Sequence, residues 1–337
     1  MTFQPKNQHS NYIRDTCQDL EELSYSNRIL VSGFEKQSKK SKFVEKLVIK
    51  ECLHLRDDEK CISSCKDIEN EYNIASRLSH ENILSPIEYY KQYRGGCAIS
   101  FPRASCDAFH YFIERSQQQK RAAYSLEEVR QLLRNVASAL NYLHQGENIA
   151  HNDIKLENIL CFISDDQKQV PVFMLTDFAY SYEIHTDHHT DNSQLHDSSF
   201  SSSLLSQSTQ TSINVYPKWK NRVKMYLSPE MIESIQKQEV KMGLEKGNDI
   251  LSLGFALFNI VFLENMIGKY EKEYSSSKKY QQIQKCGADF LQTLNQNLIN
   301  TELEKKDLLF DLIIGMIQQD PLKRLDACGI LNHPWLN

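Results

Sequence analysis

Asp153, Lys155 and Asn158 set an acid, a cation and a carboxamide within six positions, among the aliphatic residues Ile154, Leu156, Ile159 and Leu160. An extended loop holding the three together offers a base for a hydroxyl, a charge for a phosphate and an oxygen ligand for a metal ion. That set suits phosphoryl transfer, where catalysis is mostly positioning and electrostatic stabilisation. The trio alone does not decide the reaction. Its partners elsewhere in the chain do.

Nineteen residues past Asn158 stands Asp177, within Leu175-Thr176-Asp177-Phe178-Ala179. Upstream, Leu47-Val48-Ile49-Lys50 reads as a strand ending in a lysine, and Glu71 lies nine residues before His80-Glu81-Asn82-Ile83. Downstream come Tyr226-Leu227-Ser228-Pro229-Glu230, then Asp249-Ile250-Leu251-Ser252-Leu253-Gly254, Asp320-Pro321-Leu322-Lys323-Arg324 and His333-Pro334-Trp335. Each has a bland reading: a turn beside a core aromatic, a solvated lysine, a surface carboxylate. Single motif matches carry false positives. Taken in order, over roughly residues 25–337, they resemble the motifs of the eukaryotic protein kinase family in its serine/threonine form.

The resemblance implies an α+β, bilobal protein-kinase-like fold. Its N-lobe, about 25–101, is a small antiparallel sheet with one main helix, and its C-lobe, about 107–337, is mostly helical. It implies an ATP-dependent serine/threonine protein kinase using ATP and Mg²⁺, with a protein as the other substrate. Lys50 would position the α- and β-phosphates, braced by Glu71. Asp153 would accept the substrate proton and Lys155 would stabilise the moving phosphoryl. Asn158 and Asp177 would hold Mg²⁺. Lys50, Glu71, Asp153, Asn158 and Asp177 would then face one cleft. Asp249 would anchor the catalytic-loop backbone, and Arg324 would pair with Glu230. Adenine would meet backbone within 101–106, with Ser100 or Phe101 as gatekeeper. Asp107 would bind ribose hydroxyls, cap the next helix, or do both.

Four departures from the family pattern matter. Gly33 is the single glycine in 31–38, where the family uses several so that backbone N–H groups approach phosphates. This keeps open a second reading, a pseudokinase acting as scaffold or nucleotide-binding switch. Asn152 replaces an arginine that commonly receives an activation-segment phosphate by a bidentate contact, so that latch is expected to be absent. Ala179 replaces a glycine and restricts the backbone, while the Asp177 carboxylate stays. Val223 stands where a threonine is usual.

The elements must position these residues. Residues 1–24 read as a polar extension with a helical turn around 16–23. Strands are expected at 29–31, 43–53, 89–90 and 98–101. Ser63 and Ser64 can cap the helix carrying Glu71, whose apolar face is Ile68, Tyr72, Ala75 and Leu78. Residues 115–124 read as a loop. Ser125 and Glu128 form a capping box before a helix with Val129, Leu132, Leu133, Val136, Leu140 and Leu143 in register. The span 308–335 is helical by period, with Pro321 opening a new segment.

The polar stretch after Tyr180 reads as a disordered insertion of the activation segment, about 182–218. Within it His185, His188, His189 and His196 stand among acids in a pattern that could also ligate a transition metal. Ser and Thr residues over 198–212 offer phosphorylation sites. Lys218, Lys220, Arg222 and Lys224 either meet an acidic substrate or form a solvated edge.

Composition excludes several classes. A length of 337 residues allows one large or two ordinary domains. A net charge of −5 gives no nucleic-acid footprint. Nine cysteines are scattered without paired metal spacing, as in a reduced cytosolic protein. No apolar leader region follows Met1, and no glycine stands second. The strongest apolar run, 250–263, is too short for a bilayer and reads as a buried core helix. The expected location is cytoplasmic, with the nucleus left open, and no membrane insertion.

Overall fold

The computed structural model describes residues 18–26, 29–37, 44–52, 59–93, 96–119, 123–164, 170–184, 227–237, 244–266, 277–294 and 305–337. Tyr226, Val223, the histidine cluster, the Ser/Thr run and the basic run lie outside them, as does most of the proposed insertion. The chain divides into two compact units, Met1–Ser105 with Met174–Ser181, and Cys106–Phe173 with Tyr182–Asn337.

The first unit is built on a five-stranded sheet in the order β1-β2-β3-β5-β4. Its strands are β1 (Gln18–Ser26), β2 (Ile29–Gln37), β3 (Val44–Cys52), β4 (Glu88–Tyr93) and β5 (Gly96–Pro102), every neighbouring pair antiparallel. The expected helical turn at 16–23 is overturned from Gln18 onward. The polar residues of β1 pair with β2, from Gln18↔Glu35 to Ser26↔Ile29. Strand preference follows pairing context more than residue type, so an available neighbour decides. The sheet thus includes residues that composition had assigned to an extension.

Helix α1 (Glu59–Ala75) follows β3. Ser63 and Ser64 lie inside it and do not cap it, because the helix begins four residues before Ser63. Ile68, Ala75 and, just beyond the helix, Leu78 are buried as expected. Tyr72 stacks on Tyr89 of β4 with ring centroids 5.1 Å apart.

The second unit begins with β6 (Cys106–Asp107) and continues through a π-type turn into α2 (Arg115–Gln119). The loop expected over 115–124 is therefore helical at its start. Helix α3 (Leu126–Asn141) opens on the capping box: Ser125 N–H donates to Glu128 Oε2 at 2.6 Å, and Glu128 N–H donates to Ser125 Oγ at 3.2 Å. The six predicted core residues are fully buried, the last of them, Leu143, in the π-type turn just past the helix. The short strands β7 (Ile149–Ala150), β8 (Ile159–Phe162) and β10 (Tyr182–Glu183) belong to this unit, and β9 (Val172–Leu175) begins in it and ends in the first.

Helices α4 (Pro229–Lys237) and α5 (Leu244–Phe262) follow, then α6 (Lys278–Cys286), α7 (Ala288–Thr293), α8 (Lys306–Met316) and α9 (Ala327–Leu331). Helix α5 is buried nearly all round, as its apolar run requires. A Cβ at Gly254 would come 2.6 Å from Ile317 Cγ2, so glycine permits this packing distance. The helical period over 308–335 is interrupted. Between α8 and α9 the chain turns at Asp320, whose Oδ1 accepts the Leu322 N–H at 3.0 Å. That turn brings Arg324 inward, where its guanidinium donates to both Glu230 oxygens at 2.5 and 3.1 Å and to the Gly247 carbonyl at 2.9 Å. Among the described residues no helix is long and apolar enough to cross a membrane.

Candidate active site

Lys50 stands in β3 between buried Ile49 and buried Glu51, and its ammonium donates to Glu71 Oε2 at 2.7 Å and to Asp177 Oδ1 at 3.0 Å. The Lys50 side chain is 13% exposed, Glu71 2% and Asp177 30%. Burial would pull the ammonium down, but the Asp177 and Glu71 carboxylates overcome it and hold Lys50 well above its ordinary value. Glu71 is pushed up to about 7, by burial first and by the Asp177 charge, against the pull of Lys50. One cation shared by two carboxylates explains the raised Lys50, whereas at Glu71 burial is the larger cause and the Asp177 charge adds to it.

Asp177 is placed by backbone. Leu175 N–H donates to the Asn82 carbonyl at 2.9 Å, and the Leu175 carbonyl accepts the Leu84 N–H at 2.8 Å. The turn His80–Ile83 therefore fixes the strand end two residues before Asp177. Asp177 itself has φ 65°, the left-handed region, which Asp tolerates better than most residues. Asn70, beside Glu71 on α1, donates to the carbonyls of Ala179 and Ser181 at 3.1 and 3.2 Å. Sequence reasoning missed Asn70. A single helix-surface asparagine carries no pattern, and its neighbour relation to Glu71 was the one available clue.

In the second unit the Asp153 carboxylate accepts from Asn158 Nδ2 at 2.7 Å and from Lys155 Nζ at 3.0 Å through the same oxygen. Asn158 Nδ2 also donates to the Asp153 carbonyl at 2.8 Å. Both Asp153 and Asn158 are buried, Lys155 partly. Asp249 of α5 supports this loop from beneath: it accepts the backbone N–H groups of His151 and Asn152 at 2.9 and 2.7 Å, and His144 Nε2 at 2.9 Å. Asp153 N–H in turn donates to His151 Nδ1 at 3.2 Å. The structure thus groups the predicted residues into two constellations, Lys50–Glu71–Asp177 in one unit and Asp153–Lys155–Asn158 in the other.

A family model described as "Protein kinase domain" matches residues 33–336, most of the chain. The chain belongs to the protein kinase family. An Aurora kinase of Dictyostelium discoideum is similar at 25% identity, over 89% of this chain and 61% of its own length. An Aurora kinase of Debaryomyces hansenii shares 26% over 80% of this chain and 51% of its own. A protein named "Probable serine/threonine-protein kinase fhkD", from Dictyostelium discoideum, shares 24% over 81% of this chain and 31% of its own. This chain thus spans about a third to three-fifths of the length of these relatives.

Three residues of the kinase domain need separate placement. Gly33, expected in a phosphate-covering lid, lies inside β2, paired with Glu21 on one side and Val48 on the other. The β1–β2 connection falls at 27–28, outside the described residues, and its sequence is Asn27-Arg28. The unbroken β2–β3 ladder, with β1 pairing on the other side, holds Gly33 in extended backbone and away from that connection. Asp107 accepts the His110 N–H at 2.7 Å, so it meets the capping alternative. Burial raises its carboxyl above the ordinary value, against the hydrogen bond from His110. Asn152 is fully buried with φ 63°, and its Oδ1 has no hydrogen-bond partner among the described residues.

The raised Glu71 carboxyl gives a pH prediction. The native state keeps a proton that the unfolded chain has released, between pH 4.5 and about 7. Stability contributed by Glu71 therefore falls as pH rises through that window and levels off above it. Denaturant unfolding of wild type and Glu71→Gln at pH 5 to 8 tests this. The wild type is expected to lose on the order of 2 kcal/mol relative to the glutamine variant across the window. A constant difference would show that Glu71 ionises normally.

Proposed function

We propose that this kinase domain transfers the γ-phosphoryl of ATP to Ser or Thr hydroxyls of proteins. The observation that carries the reading is the Asp153–Lys155–Asn158 constellation, its three side chains joined through one carboxylate oxygen. The relatives named as serine/threonine kinases support the hydroxyl type.

The donor set fits Mg²⁺. Both Asn158 Nδ2 hydrogens are engaged with Asp153, which leaves the Asn158 Oδ1 carbonyl as the side chain's acceptor group. The part-exposed Asp177 carboxylate likewise offers oxygen, the ligand type a hard cation prefers. Asn158 and Asp177 would hold the ion, which when bound neutralises charge building on the phosphates. The chain's own groups do the rest. Lys50, aligned by Glu71, meets the α- and β-phosphates. Asp153 orients the acceptor hydroxyl and takes its proton. Lys155, now on Asp153, turns to the γ-phosphoryl as charge develops there.

Activity should not need a phosphate latch at Asn152, because that side chain is neutral and fully buried. A second reading has its own observation. Gly33 sits in mid-strand and no glycine stands at the β1–β2 connection, so the lid lacks the close backbone donors of a glycine loop. That favours a weak or inactive kinase domain acting as a nucleotide-binding switch or scaffold.

The deciding experiment incubates purified protein with Mg²⁺, γ-labelled ATP and a generic basic protein, beside Asp177→Ala. Asp177-dependent label on Ser or Thr supports the first reading. No label and no ATP-dependent thermal shift overturns it, and a shift without label leaves the switch.

A further inference from the structure

Strands β6 and β8 pair antiparallel, with Cys106 directly opposite Cys161 and Asp107 opposite Leu160. Residues opposed in an antiparallel ladder share one face, with Cα atoms about 4.5–5.5 Å apart. A disulfide needs Cα atoms about 4.4–6.8 Å apart with converging Cβ vectors. The backbone therefore already holds these two cysteines at bonding separation, and both are free thiols. Two cysteines as register partners in a two-residue ladder is a placement no sequence spacing could reveal, because they stand 55 positions apart.

The two thiols are unequal. Cys106 is partly exposed, and Cys161 is fully buried. The Cys161 thiol beside it draws Cys106 below its ordinary value, with His110 and Arg115 adding to the effect, against burial and Asp107. The Cys106 sulfur and burial push Cys161 up. The reachable sulfur is thus the one favoured as thiolate, and the buried one is poised to resolve it.

We propose that Cys106 and Cys161 form a reversible dithiol–disulfide pair, a modification site for small hydroperoxides. The Cys106 thiolate sulfur attacks a peroxide oxygen, and the O–O bond breaks. The leaving hydroxide takes a proton and departs as water, and Cys106 becomes a sulfenic acid. The Cys161 sulfur then attacks the Cys106 sulfur, and the S–O bond breaks as the S–S bond forms. The departing hydroxide takes the Cys161 proton. Two thiols lose two electrons, and one hydroperoxide becomes two waters or, for an alkyl hydroperoxide, water and an alcohol. A dithiol reductant reverses the bond by exchange.

The modification lies beside machinery already described. Cys106 precedes Asp107, which caps the turn through His110, and Cys161 follows Asn158 by three residues in β8. A disulfide would fix the register of β6 on β8 from both sides. The pair is defined within one unit and does not depend on the chain being an active kinase.

The test uses the full-length reduced protein and hydrogen peroxide, followed by alkylation, non-reducing digestion and mass spectrometry. The expected product is a linked peptide joining Cys106 to Cys161, two hydrogens lighter than the reduced pair and restored by dithiothreitol. Cys161→Ser should accumulate a sulfenic acid at Cys106 that dimedone traps, and Cys106→Ser should leave Cys161 unmodified. Exposed Cys286 and Cys328 serve as internal controls for oxidation that follows exposure alone. The proposal is overturned if wild-type Cys106 oxidises without linking to Cys161, if it links mainly elsewhere, or if Cys161 oxidises equally well in Cys106→Ser. The wild-type cross-link result decides the matter even if a serine variant fails to fold.

Discussion

Asp153→Ala is expected to lower phosphoryl transfer to a protein acceptor by about 10²–10⁴-fold, with little change in melting temperature. A positioned general base contributes that range, and each tenfold step is about 1.4 kcal/mol of barrier. Stability should survive because the loop keeps its other ties. Asn158 Nδ2 still donates to the residue-153 carbonyl, and Asp249 still accepts from His151 and Asn152. Asp177 needs a more careful substitution. Its left-handed φ of 65° would strain an alanine by roughly 1–2 kcal/mol, whereas asparagine tolerates that region. Asp177→Asn should therefore remove the charge proposed to hold the metal, and with it turnover, without the backbone cost. Steady-state kinetics with labelled ATP, alongside thermal melts, reads both effects. Full turnover in either Asp153→Ala or Asp177→Asn would sink the assignment of these carboxylates.

Much of the frame was legible in the sequence because it rests on repeating patterns. The capping box at Ser125 and Glu128 and the apolar stripe from Val129 to Leu143 are local features, and the structure keeps both. The Arg324–Glu230 pair and the Asp249 support were legible only through ordered motifs, since no local pattern links residues 94 or 98 positions apart. Misreadings fall where tertiary pairing overrides composition. Polar β1 is a strand because β2 offers it a ladder, and Gly33 is a strand residue because β1 and β3 flank it. Asn70 was invisible for a related reason. Its partners are backbone carbonyls of Ala179 and Ser181, and carbonyls leave no trace in residue type. Ser63 and Ser64 look like a cap by type, yet α1 had already begun at Glu59.

The largest stability effect is expected at Asp249. Its side chain is fully buried and accepts three donors, two backbone N–H groups and His144 Nε2. Asp249→Ala leaves all three without an acceptor in a site water does not reach. Each orphaned buried donor costs about 1–3 kcal/mol, so a loss on the order of 3–5 kcal/mol is expected after partial relaxation. That is a large fraction of the roughly 5–15 kcal/mol that holds a typical domain together. The loss should reach catalysis as well. Asn152 is held at positive φ by this carboxylate, and Asp153 hangs from the His151 ring one step further along. Asp249→Asn separates the two consequences. It keeps one acceptor oxygen, so it should recover part of the stability while the loop, now gripped from one side, still turns over slowly. Denaturant unfolding and kinetics on the same three proteins give the ordering wild type, Asn, Ala in both measurements. An alanine variant as stable as wild type would mean that the loop finds its shape without α5. The kinase motif at Asp249 would then need another explanation than the support of its backbone.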